Sequence, residues 1–185
     1  MMQLCLFWDK FQPTERIIKY KIAVLDIDGT MTNDDHRKHL MPKFKTDNPK
    51  DYQAYQNACV DDKVNYALQG KIAERGYDCI IVATSRQSNF LITTFMQISL
   101  YSEIAENIIW FGMRGENDTS KSIDIKNHTI DCALRKILKY QPNAAFDVDV
   151  YDDRHDVLNG IICTTKNVAS FKKFLVVNGK MIKEL

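Results

Sequence analysis

Apolar residues along this chain follow two rhythms. At 22–26, 79–83, 108–111, 146–151 and 161–164 they form short runs rich in branched side chains, the pattern of strands covered on both faces. Between these runs the spacing becomes helical. Val64, Ala67, Leu68 and Ile72 share one face of a segment at 60–75 that Gly76 closes. Residues 90–98 form a second helix, and Ile130, Ala133, Leu134, Ile137 and Leu138 mark a third at 130–138, ended by Pro142. Strands alternating with helices predict an α/β architecture: a Rossmann-like central parallel sheet flanked by helices. Asn178-Gly179 between two apolar runs predicts a C-terminal β-hairpin. Without repeats or a Pro/Gly/Ser-rich linker, the pattern reads as an N-terminal extension over 1–20 and a single domain over 21–185.

Composition narrows this picture modestly. A length of 185 residues with 45% hydrophobic and 26% charged residues suits one globular domain and excludes a disordered or collagen-like chain. The five cysteines are odd in number and widely spaced, which suggests neither a disulfide framework nor a zinc knuckle. No apolar window reaches the roughly 18 residues of a membrane helix, and the N-terminus lacks the basic start of a signal peptide. A soluble, cytoplasmic protein with no membrane partner is the expectation.

The chemistry concentrates at Asp26-Ile-Asp28-Gly-Thr30, on the carboxyl end of the first strand, where open α/β sheets place their ligand crevices. A bare D-x-D pair serves calcium loops, glycosyltransferases and plain turns alike. An EF-hand is excluded because its glycine belongs at loop position 6. The apolar strand before the pair and the Gly-Thr after it make the string specific. In that setting it resembles motif one of the haloacid dehalogenase-like (HAD) phosphohydrolases.

That resemblance implies a HAD fold and roles for particular residues. Asp26 would attack phosphorus and Asp28 would act as general acid and base; a carboxylate nucleophile splits one hard hydrolysis into two easier steps. Thr84, after the second strand, fits the hydroxyl motif that donates to the transferring phosphoryl group. Lys126 fits the lysine motif, with Lys121 and Lys136 as rivals. Asp152 and Asp153 fit the acidic motif ending a late strand. Four carboxylates, Asp26, Asp28, Asp152 and Asp153, converging at strand ends need a cation, and hard oxygen ligands with a phosphate substrate imply Mg²⁺; the resemblance implies Asp26, the Ile27 or Asp28 backbone carbonyl and Asp152 as its ligands, with Asp153 direct or through water.

The motif stretches between about residues 22 and 165 further resemble the 3′-phosphatase domains of bacteriophage polynucleotide kinase/phosphatases. By position, that resemblance makes Arg37 and Arg86 phosphate-binding arginines, along with Thr84 and Lys126. It also implies a phosphomonoesterase acting on the 3′-phosphorylated end of DNA or RNA in nucleic-acid repair. Three departures stand against it. No G-x-x-x-x-G-K-[ST] is present, so the kinase half is missing; Ser122 replaces an acidic residue; and the second motif reads Ala-Thr-Ser-Arg rather than Val-Ser-Gly-Arg.

Only 49 residues separate Thr30 from Ile80, and 35 span 87–121, too few for a full cap domain at either insertion point. A minimal cap and an open site follow, which suits a bulky phosphoester. A deoxyribonucleotidase acting on nucleoside monophosphates is the same-class alternative. A non-catalytic HAD-fold binding module is the alternative from another class. The pairs His36/His39 and Arg154/His155 have no third ligand at metal spacing. Tyr52, Tyr55 and Phe44 beside Lys43, Lys45 and Lys50 suit either base stacking or one apolar helix face.

Lys and Arg number 25 against 24 Asp and Glu, a net charge of +1. Setting aside the four acids of the metal site leaves an excess of bases, concentrated at 37–50 and 166–183. A near-neutral total therefore permits salt-sensitive attraction to a phosphate backbone.

Overall fold

A computed structural model describes residues 1–6, 11–44, 46 and 48–184. Nine strands are found among them: β1 (Met2–Cys5), β2 (Lys19–Leu25), β3 (Thr32–Asn33), β4 (Lys63–Val64), β5 (Cys79–Gln87), β6 (Ile108–Arg114), β7 (Ala145–Asp152), β8 (Val168–Val177) and β9 (Lys180–Glu184). The helices are α1 (Gln53–Asn57), α2 (Tyr66–Glu74), α3 (Leu91–Ile98), α4 (Ser102–Asn107), α5 (Ser122–Tyr140) and α6 (His155–Gly160), with short 3-10 turns between some of them. Seven strands form one sheet in the order β1-β6-β5-β2-β7-β8-β9, while β3 and β4 pair as a separate ribbon. The five inner strands run parallel, and the edge strands β1 and β9 are antiparallel to their neighbours.

The unbroken apolar run of β2 follows from its central position. Ile22 and Val24 pack with Ile130, Ala133, Leu134 and Ile137 of α5 on one face of the sheet. Ala23 and Leu25 pack on the other with Leu68 and Ile72 of α2 and with Ile98 and Ile104. Each buried aliphatic side chain contributes about 1.5–3 kcal/mol, so the two layers lock the register of β2 between β5 and β7.

Several elements differ from the sequence expectation. The helix expected over 60–75 is confined to α2, because Lys63 and Val64 pair with Asn33 and Thr32 and Asn65 then caps the helix, its side chain accepting from Leu68 N at 3.2 Å. It ends where Gly76 takes φ +61°. The helix expected over 130–138 extends to the whole of α5. The fifth expected strand, at 161–164, is a loop. Side chains of α5 take its backbone donors instead of a neighbouring strand: Asn127 Oδ1 accepts from Ile162 N at 3.0 Å, and Asp131 Oδ1 accepts from Thr164 N at 3.1 Å. The strand that joins β7 is β8, the longer arm of the C-terminal hairpin, whose turn places Asn178 at φ 49° and Gly179 at φ 72°. The span expected as an N-terminal extension contains β1, paired with β6, and the first two residues of β2; its residues 7–10 lie outside the described residues.

Among the described residues, the interval between β2 and β5 holds the β3–β4 ribbon, short turns, α1 and α2, which is the minimal cap expected. No helix among the described residues is long and apolar enough to cross a membrane. All five cysteines are free thiols.

Candidate active site

Three adjacent parallel strands deliver the site. β2 and β7 end side by side, placing Asp26 and the Asp152/Asp153 pair at one edge of the sheet, while β5, on the other side of β2, runs on to Gln87 and carries Thr84 within it. The loop after β2 is tight: Thr30 N and Thr32 N both donate to Ile27 O, at 3.1 and 3.0 Å. Gly29 is required there twice over. Its φ is +80°, and a Cβ would sit 2.4 Å from Asp153 Oδ2.

Ligand oxygens of Asp26, Asp152 and Asp153 lie within 4.8 Å of one another. The ammonium of Lys126, from the second turn of α5, reaches Asp26 Oδ1 at 3.0 Å and makes a closer contact with Asp152 Oδ2. Lys121 instead sits at the N-cap of α5, and Lys136 lies over the Tyr140 ring. Of the three lysines weighed from sequence, Lys126 is thus the one placed at the acids.

Burial, reinforced by the charges of Asp152, Asp153 and Asp28, pushes the Asp26 carboxyl well above its ordinary value, although Lys126 opposes the shift. Burial and then Asp152 push Asp153 up to about 7. For Lys126 burial works against the charge, but Asp152 and Asp26 outweigh it and keep the ammonium protonated.

Asp28 belongs to a second layer. Its side chain is not in the three-acid cluster, so the ligand expected from this loop narrows to the backbone carbonyl of Ile27 or Asp28. Its Oδ1 accepts from Arg37 Nη2 at 2.6 Å and from Arg86 Nε and Nη2 at 3.0 and 2.5 Å. Burial alone would raise the Asp28 carboxyl; Arg86 and then Arg37 outweigh it and hold the group below the ordinary value.

The same two guanidiniums share Asp62. Arg37 Nε and Nη2 reach it at 2.6 Å each, and Arg86 Nη2 at 2.8 Å. Arg37 also donates to Tyr55 O at 3.0 Å with its guanidinium over the Tyr55 ring, and Arg86 donates to Thr94 Oγ1 and Gln97 Oε1 at 3.2 and 2.6 Å. Both arginines are 0% exposed, so they are not open phosphate clamps; they form a buried cradle around the motif-one loop. Thr84 is also buried, and its Oγ1 accepts from Arg86 N at 3.1 Å.

Asp62 is the site residue that sequence reasoning missed. Of the proposed base-stacking group, Tyr55 is buried and donates to Asp34 Oδ2 at 2.5 Å, so its ring is committed to Arg37. Phe44 is exposed and Lys45 lies outside the described residues. No histidine belongs to a cluster of three or more metal-capable side chains among the described residues.

No family model and no curated protein matches the chain. Among solved structures, the HAD domain of effector protein Lem4 from Legionella pneumophila aligns over 88% of this chain and 89% of its own, at 16% identity and a TM-score of 0.49. An inactive mutant of that domain aligns over 90% and 89%, also at 16% identity and a TM-score of 0.49.

The residues present fit a hard divalent cation. One ammonium contacts two of the three carboxylates, Asp26 and Asp152, and Asp153 Oδ1 is buried without a hydrogen-bond partner. A raised carboxyl stabilises the fold fully below its ordinary value, and that contribution is lost as pH rises through the folded value, here about 7 for Asp153. In chelator, the protein should therefore melt lower at about pH 8 than at about pH 6, with Mg²⁺ restoring most at the higher pH. Thermal melts at both pH values with and without Mg²⁺ check this. Equal melting in chelator, or a larger Mg²⁺ shift at the lower pH, would contradict it.

Proposed function

We propose that the protein is a Mg²⁺-dependent phosphomonoesterase that works through an aspartyl-phosphate on Asp26 and removes 3′-phosphates from polynucleotide ends. One observation carries the reading: a buried lysine bridges the nucleophile candidate of one strand end to the acid pair of the adjacent strand end, with a second aspartate on the nucleophile's own loop. The residues that would hold the metal are Asp26, Asp152 and Asp153, and the ion would neutralise charge on the phosphoryl oxygens.

A carboxylate oxygen of Asp26 forms a bond to phosphorus as the ester P–O bond breaks, and the leaving oxygen takes a proton from Asp28. Water then gives a proton to Asp28 and bonds to phosphorus, releasing phosphate and regenerating the Asp26 carboxylate. The hydrogen bonds to Asp28 all fall on Oδ1, which leaves Oδ2 as the oxygen for this proton traffic. With both arginines on it Asp28 is ionised, so its first proton arrives with the monoanionic ester, whose second ionisation lies near about 6. Lys126 holds Asp26 in place and offsets charge between nucleophile and phosphate.

Rates on a 3′-phosphorylated oligonucleotide and on free mononucleotides test the substrate. The oligonucleotide is expected to have at least about tenfold higher kcat/KM, the effect of one further charge-assisted contact. Equal or better turnover of mononucleotides would make the protein a nucleotidase. No turnover of any phosphomonoester with Mg²⁺ would leave a binding module.

A further inference from the structure

A cleft of about 390 Å³ opens beside the acid cluster, with Gly29 and Asp153 in its lining. Lys63, Asn65 and the β8–β9 turn, from Val177 to Gly179, also line it. Its volume lies at the small end of small-ligand sites and suits a group the size of one nucleotide.

The turn is anchored to the catalytic loop. Gly179 approaches Asn65 so closely that a Cβ there would lie 2.3 Å from Asn65 Nδ2. Asn65 Nδ2 in turn donates to Thr30 O at 2.8 Å, and Asn65 N donates to Met31 O at 2.9 Å. One side chain thus fixes the hairpin tip, the motif-one loop and the start of α2 to one another.

The lining is polar. Asn178 is exposed at the tip, and Lys63 is exposed on β4 with no ion pair among the described residues. Lys38, also lining the cleft, is already engaged by Asp35 at 2.7 Å and Asp34 at 3.4 Å. Amides and an uncommitted ammonium suit a sugar, a base edge and a phosphodiester better than an apolar leaving group.

We propose that the β8–β9 turn stands in for a cap: it is the fixed wall of the leaving-group subsite, seating the terminal nucleotide against Asn178 while Lys63 pairs with the adjoining internucleotide phosphate. The proposal rests on the phosphomonoesterase reading and adds to it the feature that selects a polynucleotide. A free 3′-mononucleotide carries no internucleotide phosphate, so Lys63 has nothing to grip in it.

The experiment compares a 3′-phosphorylated dinucleotide, a 3′-mononucleotide and p-nitrophenyl phosphate on the wild type, Lys63→Ala and Asn178→Gly. Both positions are exposed, and glycine keeps the positive-φ turn. Lys63→Ala should erase most of an about tenfold preference for the dinucleotide over the mononucleotide and reduce the salt slope of dinucleotide KM by about one. Asn178→Gly should lower kcat/KM several-fold for both nucleotides relative to p-nitrophenyl phosphate. If both variants keep wild-type ratios among the three substrates, the hairpin proposal is overturned and the phosphatase reading stands. If the wild type cleaves none of the three with Mg²⁺, the phosphatase reading fails and this proposal fails with it.

Discussion

Asp26→Asn should reduce phosphomonoester turnover by about 10⁴-fold or more, the scale on which removal of a covalent nucleophile acts. The carboxamide is isosteric with the carboxylate and keeps an oxygen for Lys126, so the β2 end is expected to stay in place. What it removes is one of three crowded negative charges. Because burial and the neighbouring acids disfavour the Asp26 anion, the metal-free variant should melt above the metal-free wild type. Mg²⁺ should still raise its melting temperature, by less than in the wild type, through Asp152 and Asp153. The two readouts separate chemistry from folding: lost turnover with a raised metal-free melting point is the expected pair. Ordinary turnover in this variant would remove Asp26 from the mechanism.

Asp62→Ala should destabilise the protein by about 3–5 kcal/mol, as removal of one partner from a buried ion pair does. The Asp62 side chain is 0% exposed and takes hydrogen bonds from two guanidiniums that are themselves fully buried. Without it, Arg37 and Arg86 face Asp28 alone, and a net positive charge is left inside the molecule. With a urea slope of about 2 kcal/mol/M, the midpoint should fall by about 2 M. A shift under about 0.5 M would show that the cradle contributes little to stability. Turnover should fall as well, because both arginines set the position of the Asp28 carboxylate.

Much of this architecture is written locally in the sequence. The central strands carry unbroken apolar runs at Ile22–Leu25 and Cys79–Ala83 because both faces are covered there, and Gly76 and the Asn178-Gly179 turn mark their own positive-φ positions. Asp26 and Asp152 meet because parallel strands share one carboxyl edge, a rule that needs no side-chain detail, and Lys126 reaches both from α5. What was illegible depends on long-range partners. Ile161-Ile-Cys163 reads as a strand, yet Asn127 and Asp131 on α5 take the donors that a strand would have offered to its neighbour. Asp62 lies beside Asp61 in a segment with helical spacing, and nothing in one dimension marks it as the counter-charge of two arginines. The arginines show the same limit: their positions suggested guanidinium forks facing substrate, whereas three dimensions put both forks on internal carboxylates.

The pairing of β2 with β7 carries a consequence for biosynthesis. Asp26 and Asp152 sit on neighbouring strands but are separated by most of the chain, so a polypeptide leaving the ribosome carries the first acid long before the second. Until β7 docks, Asp26 lacks its two strongest acidic neighbours, Asp152 and Asp153. The repulsion among the acids arises at that docking step, and Lys126, emerging between the two strands, is already in the chain to meet it.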